Sequence, residues 1–273
     1  MSTPPAAPGL RPLTLTRWDA VRGAAADGDV AAVEEPLEVR LGGRSLAVLM
    51  RTPGHDRELA LGFLITEGIL TGVDDVLDLV ACAEGDAGKG NVLDAVLAPG
   101  VGVDWDRLQR HTFASSSCGL CGKATIEAVR TRCAPLRAPL RPDPAVLVQL
   151  PQRLREAQAS FAATGAVHAS GLFSRSGELD VLREDVGRHN ALDKVVGWAA
   201  ASGRLPLDDR ILLFSGRVSF ELMQKALAAG IPCVAGISAP TSLAVDFARE
   251  SGQTLVGFLR GDRLNVYAGT LDR

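Results

Sequence analysis

The stretch ILLFSGRVSFELMQKALAAGIPCVAGISAPTSLAVDFARESGQTLVGFL, residues Ile211 to Leu259, decides the fold. ILLF and PCVAGI read as short strands. Between them FELMQKALAAG sets Phe220, Met223 and Leu227 at helical spacing as a core stripe, and SLAVDFARES supplies a second helix before LVGFL. Strands alternating with helices of this length imply a sheet covered by helices, the layered α/β class. LVGFL and LNVYA close the chain as a final strand pair.

Toward the N-terminus the same reading continues. HNALDKVVGWAAA is a helix closed by Gly203, AVHASGLF-SRSG-ELDVLR a hairpin, and PQRLREAQASFAAT one helix closed by Gly165. CAPLRAPLRPDP holds too many prolines for an internal strand or helix and reads as a connector. Further back, LEVRL and RSLAVLM flank Gly42-Gly43, a dipeptide suited to a tight hairpin turn. Pro53 and Gly54 break that strand, a helix follows in RELALGFLITEGIL, and NVLDAVLA is a further strand. Residues 16–112 thus read as a small α+β domain, 1–15 as a flexible segment, and 113–273 as the layered domain.

Composition narrows the function. A chain of 273 residues, 47% hydrophobic, buries a proper core without staples. A net charge of −3 and 4% aromatic residues argue against nucleic acid as a partner. Five cysteines, odd in number and scattered, suit reduced thiols in the cytoplasm. MSTPPAAPGLRPLTLTRW lacks a basic segment followed by an unbroken apolar run, so no secretory signal is read. Stretches such as LALGFLI fall short of the roughly 20 residues that span a bilayer, so no membrane insertion is expected.

The chemistry concentrates in HTFASSSCGLCGK, residues His111 to Lys123. A structural zinc site needs four ligands, but Cys133 and Cys233 lack paired neighbours and His55, His111, His168 and His189 are dispersed, so no resident metal is expected. A zinc deaminase would need H-x-E, and VHAS puts Ser170 at the glutamate's place. A redox pair, a persulfide-carrying nucleophile favoured by Lys123 and His111, and two inert small residues all stay open on these residues alone.

Two further regions carry polar groups. REDVGRHNALDK brings Arg183, Glu184, Asp185, Arg188, His189, Asn190, Asp193 and Lys194 to a strand-to-helix junction, an anion site for a pyrophosphate or guanine nucleotide. Its ordinary reading makes Asp185 the N-cap and puts Asn190, Asp193 and Lys194 on a solvated face. Ser215, Gly216 and Arg217 follow the strand ILLF, and Ser238 and Thr241 follow PCVAGI, at strand ends where α/β sheets bind ligands. Asp185 or Asp262 could accept from a guanine-type ring. His168 reads as a half-buried strand residue.

Several stretches together resemble the formate dehydrogenase accessory sulfurtransferase family. They are TPGHDRELALGFLITEGIL, SSSCGLCGK, TGAVHASGLF, REDVGRHNALDKVVG, SGRVSFELMQKA and GISAPTSLAVDFARESGQTLVGFLRGDRLNVY, in order from Thr52 to Tyr267, with a departure at His55. The resemblance implies a cytidine deaminase-like α/β fold without the zinc chemistry. It implies that a cysteine desulfurase loads Cys118 with a persulfide, Cys121 being the second thiol. The acceptor would be the molybdenum bis(molybdopterin guanine dinucleotide) cofactor, a bound substrate held through its guanine nucleotide moiety. Phe258, Leu259, Arg260, Gly261, Asp262 and Arg263 would bind it, with Asp185 and His189, in a homodimer serving formate dehydrogenase. The alternatives are a non-catalytic cofactor chaperone and a CxxC disulfide oxidoreductase.

Overall fold

The computed structural model describes residues 9–82, 90–105, 135–136 and 139–272. Its centre is a six-stranded sheet built from β7 (His168–Phe173), β8 (Leu179–Asp185), β9 (Ile211–Phe214), β10 (Cys233–Gly236), β11 (Thr254–Arg260) and β12 (Arg263–Ala268). The order is β12-β11-β10-β9-β7-β8. β9, β10 and β11 run parallel, while β12 and the β7-β8 hairpin flank them antiparallel. The parallel strands need long crossovers. α6 (Phe220–Ala228) and α7 (Ser242–Ser251) supply them, packed edge to face through Phe220 and Phe247 with centroids 5.0 Å apart.

Alternation along the strands builds two cores. Leu172, Leu212, Phe214, Val234 and Leu255 point to the face covered by α5 (Arg188–Ala201), α6 and α7. Phe173, Ile211, Leu213, Ala235 and Val256 point to the other, covered by α2 (Pro144–Leu147) and α3 (Leu150–Ala157) through Leu147, Leu150 and Leu154. Each such buried Leu, Ile, Val or Phe side chain contributes about 1.5–3 kcal/mol. Both faces being covered explains why ILLF reads as a continuous apolar run. The stripe of Phe220, Met223 and Leu227 is buried as the spacing implies.

A four-stranded sheet, order β4-β3-β6-β5, comprises β3 (Glu35–Leu41), β4 (Arg44–Arg51), β5 (Val76–Ala81) and β6 (Val92–Leu97). The β3-β4 turn is the glycine pair, with φ of 57° at Gly42 and 81° at Gly43. α1 (Asp56–Thr66) joins this sheet to the larger one by packing across α5. Gly62 and Gly197 make that crossing possible: a Cβ on Gly62 would lie 1.8 Å from the Asp193 carbonyl oxygen, and one on Gly197 1.8 Å from that of Glu58. One hydrophobic cluster therefore runs from Leu37 and Leu93 through α1 and α5 to Leu212. The boundary placed at 112/113 lies outside the described residues.

Three features differ from the sequence reading. β1 (Leu10–Asp19) and β2 (Gly23–Ala32) form a separate antiparallel ribbon, so residues 10–15 belong to a strand. The ribbon escapes notice because it is almost wholly exposed, with Trp18 at 72%, and its second strand is rich in Ala, Gly and Asp. The single helix expected in PQRLREAQASFAAT breaks at Gln158 into α3 and α4 (Ala159–Thr164). There the Glu184 carboxylate accepts from the Ser160 and Phe161 amides at 2.8 Å each, capping α4 from outside the helix. Finally, Asp193 and Lys194 are not on a solvated face: they are 2% and 1% exposed, because α5 is enclosed by the sheet, α1 and α6. His55, the departure noted above, precedes α1 with a left-handed φ of 58°, a conformation in which histidine is several-fold enriched among non-glycine residues.

Candidate functional site

The carboxyl ends of β9, β10 and β11 meet the amino ends of α5, α6 and α7, the place where open α/β sheets form a ligand crevice. The loops there are stitched together. Ser238 N donates to Gly216 O at 3.4 Å, Val218 N to Ala239 O at 3.2 Å, and Thr241 N to Val218 O at 3.0 Å. Ser215 Oγ accepts from Ala169 N at 2.9 Å, and Thr241 caps its own helix through Ala244 N. His168, at the start of β7, lines the Gly216 loop and is half-buried, as expected.

Several polar atoms here lack hydrogen-bond partners among the described residues. They are Ser170 Oγ on β7, opposite the last residue of β9, Arg188 Nε and His189 Nε2 in the first turn of α5, and Ser219 Oγ at the N-cap of α6. Ser170 is fully buried. Among the described residues neither α5, whose N-cap is Gly187, nor α6 has a side-chain cap, and both helix amino ends lie at one edge. Buried polar atoms without partners are costly, and a bound polar group would relieve that cost.

The field at this edge favours anions. Burial, then Arg188, holds the His168 imidazole below its usual range, with Asp185 acting against them and Arg217 acting with them. Burial, then Lys225 and Arg188, drives His189 down to about 3. His189 Nε2 lies 3.2 Å from Glu221 Oε2 but out of line for a hydrogen bond, so the contact is between a neutral imidazole and a carboxylate rather than an ion pair. The unfolded chain takes up a proton at His189 below about pH 6.5, whereas the folded chain does not until about 3. This residue therefore removes stability as the pH falls through that window. In urea unfolding, His189→Gln is expected to narrow the stability difference between about pH 7 and pH 4.5.

Asp185 is fully buried and serves the scaffold. Its carboxylate pairs with Lys194 at 2.7 Å and accepts from Thr52 N at 3.1 Å, Gly187 N at 2.8 Å and Asn190 Nδ2 at 2.9 Å. Asp185 is therefore not the N-cap but sets the turn into α5 from two residues before it, where Gly187 is the cap. The segment 258–263 is the β11-β12 hairpin, turning at Gly261 and Asp262. Phe258 has a φ of 49° and is 40% exposed, while Leu259 is fully buried in the second core. Phe258 N donates to Ser238 O at 3.1 Å and Arg260 Nε to Ile237 O at 2.8 Å, which anchors the hairpin at the end of β10. Arg260, Gly261, Asp262 and Arg263 are exposed. The hairpin, the Ser238 and Gly216 loops, His168 and His189 accordingly follow one another along a single edge of the sheet.

Cys118 and Cys121 lie outside the described residues, as do Cys133, His111 and Lys123. Cys233 is buried, which pushes its thiol up to about 12 and leaves it unreactive at neutral pH. Among the described residues no cluster of three His, Cys, Asp or Glu side chains could hold a metal ion, and no helix is long and apolar enough to cross a membrane. Sequence reasoning missed Ser219 and Lys225 as parts of this region, and met Ser170 only as a stand-in for glutamate. The available signal was their place just after, or facing, the ends of apolar strands.

The fold defines a class: a mixed α/β protein with several sheets, whose parallel strands end at one edge beside the amino ends of three helices. The chain belongs to the FdhD/NarQ family, whose model matches residues 32–272. It is 54% identical over 247 residues to the sulfur carrier protein FdhD of Streptomyces avermitilis, covering 88% of each chain. It is 51% identical over 247 residues to that of Mycobacterium tuberculosis, covering 88% of this chain and 90% of the relative. For Anaeromyxobacter dehalogenans the figures are 46% over 259 residues, 91% and 90%. A crystal structure of a putative formate dehydrogenase accessory protein from Desulfotalea psychrophila shares the fold, with a TM-score of 0.75 at 24% identity over 96% of this chain and 98% of that one.

Proposed function

We propose that this protein is a cytoplasmic sulfurtransferase that carries sulfur on Cys118 to the molybdenum bis(molybdopterin guanine dinucleotide) cofactor for formate dehydrogenase. The observation that supports it most is the presence, in one FdhD/NarQ chain, of the motif SSSCGLCGK and of a strand-end edge whose buried polar atoms lack partners among the described residues. The relatives' name, sulfur carrier protein, agrees with it.

In the loading step the Cys118 thiolate attacks the terminal sulfur of a cysteine desulfurase persulfide. A new S–S bond forms at Cys118, the donor's S–S bond breaks, and the donor leaves as a thiolate, so the exchange needs no external oxidant. Glycines around the pair and the neighbouring Lys123 favour approach and the thiolate. Cys121 is the second thiol of the pair.

The crevice would hold the cofactor as substrate through its guanine nucleotide. Arg188, Arg217 and the amide ends of α5 and α6 suit phosphates, and Ser170, His189 and Ser219 have unused hydrogen-bonding capacity. The exposed Phe258 ring and the outer residues of 258–263 stand beside it, ready for a planar group. Asp185 acts through the turn it holds. The sheet order, with an antiparallel hairpin beside three parallel strands, supports a cytidine deaminase-like fold whose H-x-E glutamate is replaced by Ser170. The active species is a homodimer in this reading.

The test is loading of the purified protein with a cysteine desulfurase and L-cysteine, followed by peptide mass analysis with and without reductant. The expected result is a reducible gain of about 32 Da on the peptide bearing Cys118, lost in Cys118→Ala. Cofactor binding without any such gain, and formate dehydrogenase maturation that survives Cys118→Ala, would instead establish the chaperone. A reversible Cys118–Cys121 bond with reductase activity would establish the oxidoreductase.

A further inference from the structure

One buried cluster stands behind the crevice. Lys225 in α6 is 3% exposed, and its ammonium lies 3.0 and 3.1 Å from the two Asp193 carboxylate oxygens, 2.9 Å from Glu67 Oε1 and 2.8 Å from Thr66 Oγ1. Thr66 Oγ1 in turn donates to Asp193 Oδ1 at 2.7 Å. The lysine therefore ties together the end of α1, the middle of α5 and α6. Four residues earlier on α6 is Glu221, and four residues earlier than Asp193 on α5 is His189. Residues four apart share a helix face, so the two helices make a ladder of two rungs: Lys225 with Asp193 below, Glu221 with His189 above.

The lower rung acts on the upper one. Lys225 is the charged group with the largest effect on His189, following burial itself; Arg188 and His168 act in the same direction and Glu67 against them. Glu221 faces the same imidazole at 3.2 Å. The surrounding carboxylates hold Lys225 protonated, since Asp193, Glu67 and Glu221 all raise its proton affinity against the effect of burial. Burial pushes Asp193 up to about 6 despite the lysine, as expected where several acids share one cation.

We propose that Lys225 is a positioning residue for the crevice: pinned by Asp193, Glu67 and Thr66, it fixes the α5–α6 ladder so that His189 presents its unpartnered Nε2 for a hydrogen bond with the ligand. This rests on the reading of the crevice as a cofactor site. A neutral imidazole suits a hydroxyl or a base edge, and it leaves phosphate charge to Arg188 and Arg217. Ligand affinity then does not follow a histidine titration near neutral pH.

Lys225→Met alone strands the Asp193 and Glu67 carboxylates and is prone to unfold, so the decisive variant is Lys225→Met/Asp193→Asn, with Lys225→Arg as the charge-conserving partner. His189 is titrated by NMR, assigned with His189→Gln, and GDP affinity is measured by calorimetry from about pH 5 to 8. In the wild type His189 stays unprotonated over that range, and Lys225→Arg behaves alike. In the double variant its pKa rises by about one unit or more and GDP binding strengthens toward acid as the imidazole charges. A wild-type His189 titrating near its ordinary value of about 6.5, or one that does not move in the double variant, overturns the inference. Failure of the wild type to bind GDP overturns the cofactor reading instead, and the titration still decides what Lys225 does.

Discussion

Gly197→Ala is expected to destabilise the protein by at least about 3 kcal/mol, the upper end of the usual cost of overpacking, and to lower Tm by roughly 6–12 °C. The added methyl would sit 1.8 Å from the Glu58 carbonyl oxygen, 2.6 Å from its carbon and 2.9 Å from its Cα. These are backbone atoms of α1 and cannot rotate aside. The two helices must separate, which opens gaps among Leu59, Leu192 and Val196. Separation also strains the pairing of Arg183 Nη2 with Glu58 Oε1 at 2.8 Å. Gly62→Ala meets the Asp193 backbone in the same way and is expected to cost a similar amount. Gly102→Ala, where a Cβ meets nothing within 4 Å, is the control and should stay within about 0.5 kcal/mol of wild type in thermal and urea unfolding.

Lys194→Met is expected to cost about 3–5 kcal/mol, because it leaves the Asp185 carboxylate buried without its cation. Asp185→Asn strands the ammonium and loses part of the acceptor set for Thr52 N and Gly187 N. The lysine also donates to Thr52 O at 2.9 Å and Glu184 O at 3.4 Å, and Val186 N donates to Thr52 Oγ1 at 3.1 Å. This cluster stitches the loop before α1 to the turn into α5, so it couples the smaller sheet to the crevice edge. The double variant Asp185→Asn/Lys194→Met is expected to cost clearly less than the sum of the single changes, as both partners of the buried pair are neutralised together. A double-mutant cycle in urea measures the coupling. Additive single effects would show that the two residues do not act as a pair.

The parallel strands ILLF and PCVAGI, the stripe on α6, the Gly42-Gly43 turn and the closing hairpin were all legible, since each rests on a local pattern of period or turn chemistry. The β1-β2 ribbon was not, because it buries almost nothing that could pattern its residues. The break at Gln158 depends on Glu184, more than 20 residues away, reaching the amides of α4. The site was legible as a set of strand-end loops and charged residues, but not as an arrangement. Asp193 and Lys194 look like surface residues in sequence because nothing local shows that α5 is enclosed by the sheet, α1 and α6.

By itself the sequence determined the layered α/β class, the helix and strand order of the last hundred or so residues, and the motifs shared with the FdhD/NarQ family, all carried by neighbours within a few positions of one another. Only the tertiary structure decided that Gly62 and Gly197 let two helices touch, that Asp185 serves the scaffold, and that Lys225 stands behind His189. Those outcomes depend on distances between residues far apart in the chain, and burial and charge act through such distances rather than through sequence spacing.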